Sequence, residues 1–374
     1  MAQPPVITIF TADTGHTSIA QALEATLQDR YQVNLANVSM PGFSLYYPFY
    51  RYFPQLSQIG FKAAQRKSVY KALHQVMGDS YRLKITEFFA RHRPNLVMST
   101  YHIANPTIEH LTQNSHIPFI NILPDPRTIN AFLPSPQALN CVFDQQVMEH
   151  CRDDLHIPAA KLLVTGWFVR PNYQPANRSQ VRQALRLPVN QLTFLVAAGS
   201  EGTNLVLKII PTFLQSNPPL TVVVSCGHNR QLFSTIKQIN RANRIFHPNS
   251  RLKLIPLAFT DKLYRYLQAA DLTIGKAGPN LLFESVAVET PFFAITHVSG
   301  QEDGNLDIIR EYRLGLVEEN TLKANRLLNR LIHHPDQLAE FIPHLKHLAA
   351  RNSRAPALLH REVARLLTQS SPVS

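Results

Sequence analysis

Leu272-Thr273-Ile274-Gly275-Lys276-Ala277-Gly278-Pro279-Asn280-Leu281-Leu282-Phe283-Glu284 is the stretch that decides the fold. Leu272–Gly275 reads as a short apolar strand, the glycines let the backbone turn close to a ligand, and Pro279 stands where the first residue of a helix belongs. A strand that runs through glycine into a helix is a joint of a parallel α/β sheet. The free N–H groups of that helix start, at its positive dipole end, suit a diphosphate. Glu284, about one and a half turns in, is placed to accept hydrogen bonds from the two hydroxyls of a ribose. Many junctions of this kind merely pack, so the pattern alone leaves both readings open.

Outward from this point the alternation continues. Phe292–Thr296 reads as the next strand, and Gly300-Gln301-Glu302-Asp303-Gly304-Asn305 follows its carboxyl end. Short polar side chains there can hold sugar hydroxyls or a second phosphate; the alternative is an ordinary helix-opening loop whose acids complement the dipole. Thr193–Ala198, Thr221–Cys226, Leu252–Leu257 and Leu314–Val317 complete a strand series whose members are each followed by a helix-compatible stretch. The N-terminal half repeats the theme: strands at Val6–Phe10, Val33–Val38, Leu96–Thr100, Phe119–Leu123, Cys141–Phe143 and Leu162–Thr165, with a helix from Thr17 to Gln28. The expectation is an α/β protein of two Rossmann-like, doubly wound parallel-sheet domains facing a cleft. Residues 1–170 form the first domain, the Pro-rich 171–190 the linker, 191–345 the second domain and 346–374 a C-terminal helical segment.

Composition narrows the function. The 374 residues are 45% hydrophobic and 9% aromatic, globular values, and only 17% charged, yet 37 Lys+Arg against 25 Asp+Glu leave a net +12. Such a surplus calls for an anionic partner. Cys141, Cys151 and Cys226 show no paired spacing, which excludes a disulfide framework and a zinc cluster and points to a reducing compartment. No Asp-x-Asp or close His/Glu ligand set is present, so no metal site and no resident cofactor is expected. A secretory leader is not expected, because the N-terminus lacks a basic region and its apolar run ends after five residues, Val6–Phe10. No run approaches about 18 apolar residues, so no membrane span is expected either.

Gly42–Arg93 interrupts the alternation. Phe43, Tyr46, Tyr47, Phe49, Tyr50, Tyr52, Phe53 and Phe61 crowd its start, and from Arg51 to Arg93 nine basic residues face two acids, Asp79 and Glu87. Aromatics beside Lys and Arg describe a monotopic patch on an anionic bilayer. A solvated helix face over a partly aromatic core is the alternative. Nucleic acid is not expected, because no recognised module accompanies the charge.

The motif Lys276–Glu284 with Gly300–Asn305 resembles the donor site of glycosyltransferase family 28, most closely its monogalactosyldiacylglycerol synthase and processive diacylglycerol glucosyltransferase branch. Gly199-Ser200-Glu201-Gly202, Cys226-Gly227-His228-Asn229, Phe259-Thr260-Asp261 and Ala269-Ala270-Asp271 match further family elements in the same order. In the N-terminal half, Asp13-Thr14-Gly15-His16, Thr100-Tyr101-His102, Pro124-Asp125 and the stretch Val164–Pro171 resemble its elements more loosely.

The resemblance implies a GT-B fold. It implies an inverting, metal-free transfer of galactose or glucose from a UDP-sugar to a lipid, diacylglycerol first, by a cytoplasmic protein peripheral on the inner face of a bacterial cell membrane. Carried over by position, Gly278 and Pro279 lie by the diphosphate, with Lys276 and Asn280 beside them, and Glu284 lies by the ribose. Gln301, Glu302 and Asn305 hold the hexose and phosphate region, while Gly15, Gly199, Gly202 and Phe259 line the donor cleft. The base that takes the acceptor proton is His16, with His102 or Asp125 as alternatives. Departures stand out as well: one glycine before His16 instead of three, Asn280-Leu281 where Gly-Thr is usual, and Glu289-Thr290 before the next strand. Other readings are an isoprenoid or soluble acceptor, an epimerase, and a non-catalytic protein that binds nucleotide sugar or membrane.

Overall fold

The structure, a computed structural model, describes residues 4–13, 15–39, 82–127, 133–200 and 202–370. The aromatic-rich part of the predicted membrane segment, 42–81, lies outside the described residues, as do Thr14 and Glu201.

The chain divides into two compact units: Met1–Pro171 with Ser299–Gln301 and Arg351–Ser374, and Asn172–Val298 with Glu302–Ala350. Unit one is built on a six-stranded sheet, β1 (Val6–Thr11), β2 (Gln32–Asn37), β3 (Leu96–Ser99), β4 (Phe119–Ile122), β5 (Leu139–Val142) and β6 (Leu162–Val164). Its order is β2-β1-β3-β4-β5-β6, parallel throughout. Ile7, Ile9, Phe10, Leu96, Val97, Met98 and Ile120 are fully buried. Such mostly apolar, fully buried runs, broken only by buried polar residues such as Thr8 and Asn121, are what a parallel sheet covered on both faces requires. Helix α1 (Gly15–Leu27) follows β1, and Phe88 and Phe89 of the helical residues 82–92, α2, close on Phe10 with centroids at 6.3 and 5.8 Å. Helix α3 (Asn105–Asn114) follows β3 and α4 (Gln145–Asp153) follows β5.

Unit two opens with α5 (Arg178–Ala184), inside the stretch expected to be a linker. Arg182 explains its position: the side chain is buried and donates to the carbonyls of Ala269 (2.8 Å) and Val189 (2.9 Å) and to Asp271 (2.6 Å). A polar sequence is thereby pinned by one guanidinium. The sheet comprises β7 (Leu192–Ala197), β8 (Leu220–Ser225), β9 (Leu252–Leu257), β10 (Leu272–Lys276), β11 (Phe292–Thr296) and β12 (Gly315–Val317), parallel in the order β12-β11-β10-β7-β8-β9. Helices α6 (Ile210–Leu214), α7 (Arg230–Phe246), α8 (Leu263–Ala269), α9 (Pro279–Ala287) and α10 (Asp303–Glu311) connect successive strands, and α11 (Thr321–His333) follows β12.

Helix α12 (Ile342–Asn352) leads to α13 (Ala355–Ser370), which packs on α1 and β3 of unit one. There His360 stacks on Tyr31 at 6.3 Å, and the Arg351 guanidinium lies 4.6 Å above the Phe143 ring. Among the described residues no helix is long and apolar enough to cross a membrane.

Candidate active site

In unit two the winding reverses between β7 and β10: the chain runs β7-β8-β9 to one side and β10-β11-β12 to the other. Ligands of open α/β sheets bind beyond the strand carboxyl ends at such a point. Gly275 permits the close approach of the two strands, since a Cβ there would sit 2.7 Å from the Ala197 carbonyl oxygen. The backbone turns at Gly278, which is extended at φ −72° and ψ 140°, and α9 starts at Pro279.

Side chains from the next βα joint hold this turn. The Ala277 N–H donates to Thr296 O (2.8 Å), and Asn305 Nδ2 donates to Ala277 O (2.7 Å). Glu302 forms an ion pair with Lys276 and accepts the Val298 N–H at 2.7 Å. Sequence reasoning gave Glu302 and Asn305, with Gln301, to the hexose and phosphate region. The structure buries both and engages their side chains within the protein, so what they demonstrably hold is the turn. The Lys276 side chain keeps 29% of its surface exposed, and a Cβ on Gly278 would lie 3.3 Å from its Nζ. The Glu302 Oε1 it pairs with lies 3.5 Å from the same point, so an ion pair stands beside the N–H groups of a helix start, and it is those amides and the dipole that suit a phosphate. Asn280 is half-buried in the first turn of α9 and Glu284 buried in the second. Gln301, half-buried, belongs to the three-residue stretch grouped with unit one.

The loops after β7 and β8 interlock. Gly199 (φ +80°), Gly202 (φ +68°) and Gly227 (φ +56°) are left-handed. A Cβ on Gly227 would collide with the Ser200 carbonyl oxygen, and one on Gly202 with that of Cys226, whereas Gly199 has open space. His228 N–H donates to Ser200 O (2.8 Å). Asn229 Nδ2 donates to Gly202 O (2.7 Å), while its Oδ1 caps α7 through the Leu232 N–H (2.8 Å). The predicted Gly199–Gly202 and Cys226–Asn229 motifs thus act together as one support. Phe259, 56% exposed, stacks face to face on His228 with ring centroids 4.0 Å apart. The motifs were legible, but that ring pair was not.

Two more features carry no sequence signal of their role. Asp271, the acid of Ala269-Ala270-Asp271, accepts from Arg178, Arg182 and the Thr193 N–H, so it ties α5 to β7. His297 faces Glu319 through Nδ1 (2.7 Å) and Asp303 through Nε2 (2.8 Å). Both partners are acceptors, which favours the doubly protonated ring, and the Glu319 hydrogen bond above all raises its pKa. Burial pushes the thiols to about 12 for Cys141, about 11 for Cys151 and about 11 for Cys226, leaving none as a thiolate nucleophile near neutral pH. Among the described residues, no group of three or more His, Cys, Asp or Glu could hold a metal ion.

In unit one the three proposed bases follow the carboxyl ends of adjacent strands, His16 after β1, His102 after β3 and Asp125 after β4. The structure therefore brings them to one rim. The sheet reverses between β1 and β3, and His16 bridges that point: its Nδ1 lies 2.7 Å from Thr100 O, beneath which Thr100 Oγ1 donates to Thr11 Oγ1 (2.9 Å). A carbonyl can only accept, so Nδ1 carries the proton and Nε2 keeps its lone pair for another hydrogen. Burial lowers the pKa of His16, partly offset by the Thr100 carbonyl, so the ring is neutral near pH 7. The helix begins at Gly15, two residues ahead of the expected start, which puts Gly15 and His16 in the first turn of α1. Asp125 and His102 are half-buried.

Residues 193–311 match the model of the glycosyltransferase family 28 C-terminal domain. Monogalactosyldiacylglycerol synthase 2, chloroplastic, of Arabidopsis thaliana is 22% identical over 349 residues, 86% of this chain and 72% of that protein. A processive diacylglycerol beta-glucosyltransferase of Bacillus cereus is 24% identical over 327 residues, 82% of this chain and 80% of that protein. The structure of CalG4, the calicheamicin glycosyltransferase, superposes with a TM-score of 0.60 at 14% identity over 100% of both chains, and the expected GT-B fold is the one found. The domain match and these relatives together identify the chain as a glycosyltransferase with a family 28 C-terminal domain.

Proposed function

We propose that the chain transfers a hexose, galactose or glucose, from a UDP-sugar to a lipid hydroxyl, diacylglycerol being the first candidate, with inversion and without a metal cofactor. The observation that carries this reading is the open helix start at α9, where the turn at Gly278, with the Lys276–Glu302 pair beside it, stands at the switch point of the second sheet. The diphosphate rests on the amides opening α9, and Glu284 takes the ribose hydroxyls. The names of the relatives support both sugars and the diacylglycerol acceptor.

In the reaction, the acceptor oxygen attacks the anomeric carbon from the face opposite the diphosphate. Its proton passes to His16 Nε2, whose lone pair is kept available by the Thr100 hydrogen bond. The bond from the anomeric carbon to the diphosphate oxygen breaks, and the charge that leaves is balanced by the helix dipole and Lys276. The protein acts at the inner face of the membrane as a peripheral protein.

The test supplies radiolabelled UDP-galactose or UDP-glucose with diacylglycerol in anionic liposomes. Lipid-soluble label from one sugar is expected. No label from either sugar, with UDP binding intact, sinks the lipid acceptor and leaves the soluble-acceptor or non-catalytic reading.

A further inference from the structure

Helix α7 buries Leu232, Ile236 and Asn243 against the second sheet. At about 100° per residue, Arg230, Lys237, Arg241 and Arg244 fall on the opposite side within a stripe about 60° wide. All four are exposed. The sequence from Gly227 to Thr260 contains no Asp or Glu, so nothing along it neutralises the stripe. At the carboxyl end of the helix Ile245, 62% exposed, falls about 40° beyond the edge of the stripe and Phe246, 76% exposed, the last helical residue, about 140° beyond it; they are two of the five large exposed hydrophobics among the described residues. His247, Pro248, Asn249 and Arg251 beyond them are exposed as well.

We propose that this end of α7 is a docking face for an anionic lipid surface, separate from the aromatic-basic segment 42–93. The stripe supplies the charge that attracts acidic headgroups, and Ile245 and Phe246 supply apolar surface at the depth where headgroups meet acyl chains. A nucleic acid would use the cations and leave the two apolar side chains in water. The inference goes beyond the transfer reaction and stands on residues that the reaction does not use.

The experiment uses the full chain with one added cysteine, Asn249→Cys, carrying an environment-sensitive fluorophore, and Asp307→Cys on α10 as control. The native thiols are buried. With vesicles of phosphatidylcholine and phosphatidylglycerol, the label at 249 is expected to brighten and to be quenched by spin-labelled lipid, and the label at 307 to do neither. Arg241→Gln with Arg244→Gln is expected to weaken partitioning about 25-fold at low salt, about fivefold per charge, and less at high salt. An unresponsive label at 249 on vesicle-bound protein overturns the proposal, as does a double variant that partitions like the parent. A label that responds to an anionic oligonucleotide but not to vesicles overturns it too. Transfer to acceptor in detergent micelles by the same variants is the separate readout: its absence counts against the proposed reaction, its presence with lost vesicle binding supports the docking face.

Discussion

Glu302→Gln discriminates between a residue that holds the diphosphate turn and one that grips the sugar. The glutamine keeps a carbonyl oxygen for the Val298 N–H, at 2.7 Å in the parent, and removes the charge paired with Lys276. Breaking a fully buried ion pair costs about 3–5 kcal/mol. Here the Glu302 side chain is 6% exposed but that of Lys276 is 29% exposed, so water screens one partner and about 2 kcal/mol is the reasoned loss. For a domain the size of unit two this lowers Tm by roughly 4–8 °C, read by calorimetry on the full chain. In the proposed complex the turn positions the diphosphate and not the hexose, so KM should rise by the same factor for UDP-galactose and UDP-glucose, with their kcat/KM ratio preserved. An unchanged Tm together with a shifted galactose-to-glucose ratio would refute the reasoning and return Glu302 to the hexose.

His16→Ala should lower kcat about 100-fold or more while UDP binding, measured by calorimetry, is kept. Because burial depresses the folded pKa, the acid limb of kcat/KM in the parent should lie below pH 6.5, and protonation of the unfolded chain first should make stability fall as pH drops through 6.5; a limb at or above 6.5 contradicts the buried base. His297 has the opposite sign: its raised pKa gives stability that is complete below 6.5 and lost as pH rises through the folded value, so His297→Gln should flatten that alkaline loss in a urea titration series. Arg182→Met should cost about 3 kcal/mol, seen as a lower urea midpoint, because it strips the buried guanidinium from Asp271 and two carbonyls. Gly166→Ala should cost about 2 kcal/mol by the same assay, since a Cβ at φ +80° would lie 2.6 Å from Asn352 Oδ1 and 3.3 Å from its Cα.

The strands were readable because a parallel sheet covered on both faces leaves few polar residues along its strands: Phe292-Phe293-Ala294-Ile295, all fully buried, admits no other reading. The helix start at Pro279 was readable because proline at the first helical position is a local signal. The start at Gly15 was not, since a glycine with a threonine before it reads as loop, and the Thr100 bond to His16 comes from 84 residues away. The same reasoning covers Glu302 and Asn305. Their proximity to the donor motif was visible in spacing, but whether a carboxylate faces a ligand or a lysine 26 residues earlier is settled by tertiary structure. Arg182 shows the converse, a polar helix read as linker because a buried guanidinium looks like an exposed one until its acceptors are known.

The departures from the family pattern resolve along the same line. Leu281 occupies the place of a threonine, and its Cδ2 would lie 3.2 Å from a Cβ on Gly275, so the side chain packs toward β10 and offers no hydroxyl to a phosphate. Thr290 is fully buried and its Oγ1 donates to Leu267 O (3.0 Å), while Ser285 Oγ bonds both Thr290 O (2.8 Å) and Thr273 Oγ1 (2.9 Å). Glu289 holds the left-handed turn, φ +60°, that a glycine would adopt without strain. A closed polar network therefore keeps α9 seated between β10 and β11, and the turn at Gly278 keeps its shape. What the substitutions alter is the chemistry offered to the proposed diphosphate: one hydroxyl fewer, with backbone amides and Lys276 left to meet it. In the proposed complex the Lys276 ammonium thus carries a larger share of diphosphate binding than it would beside a threonine, and its pairing with Glu302 sets how much of that charge the anion can use.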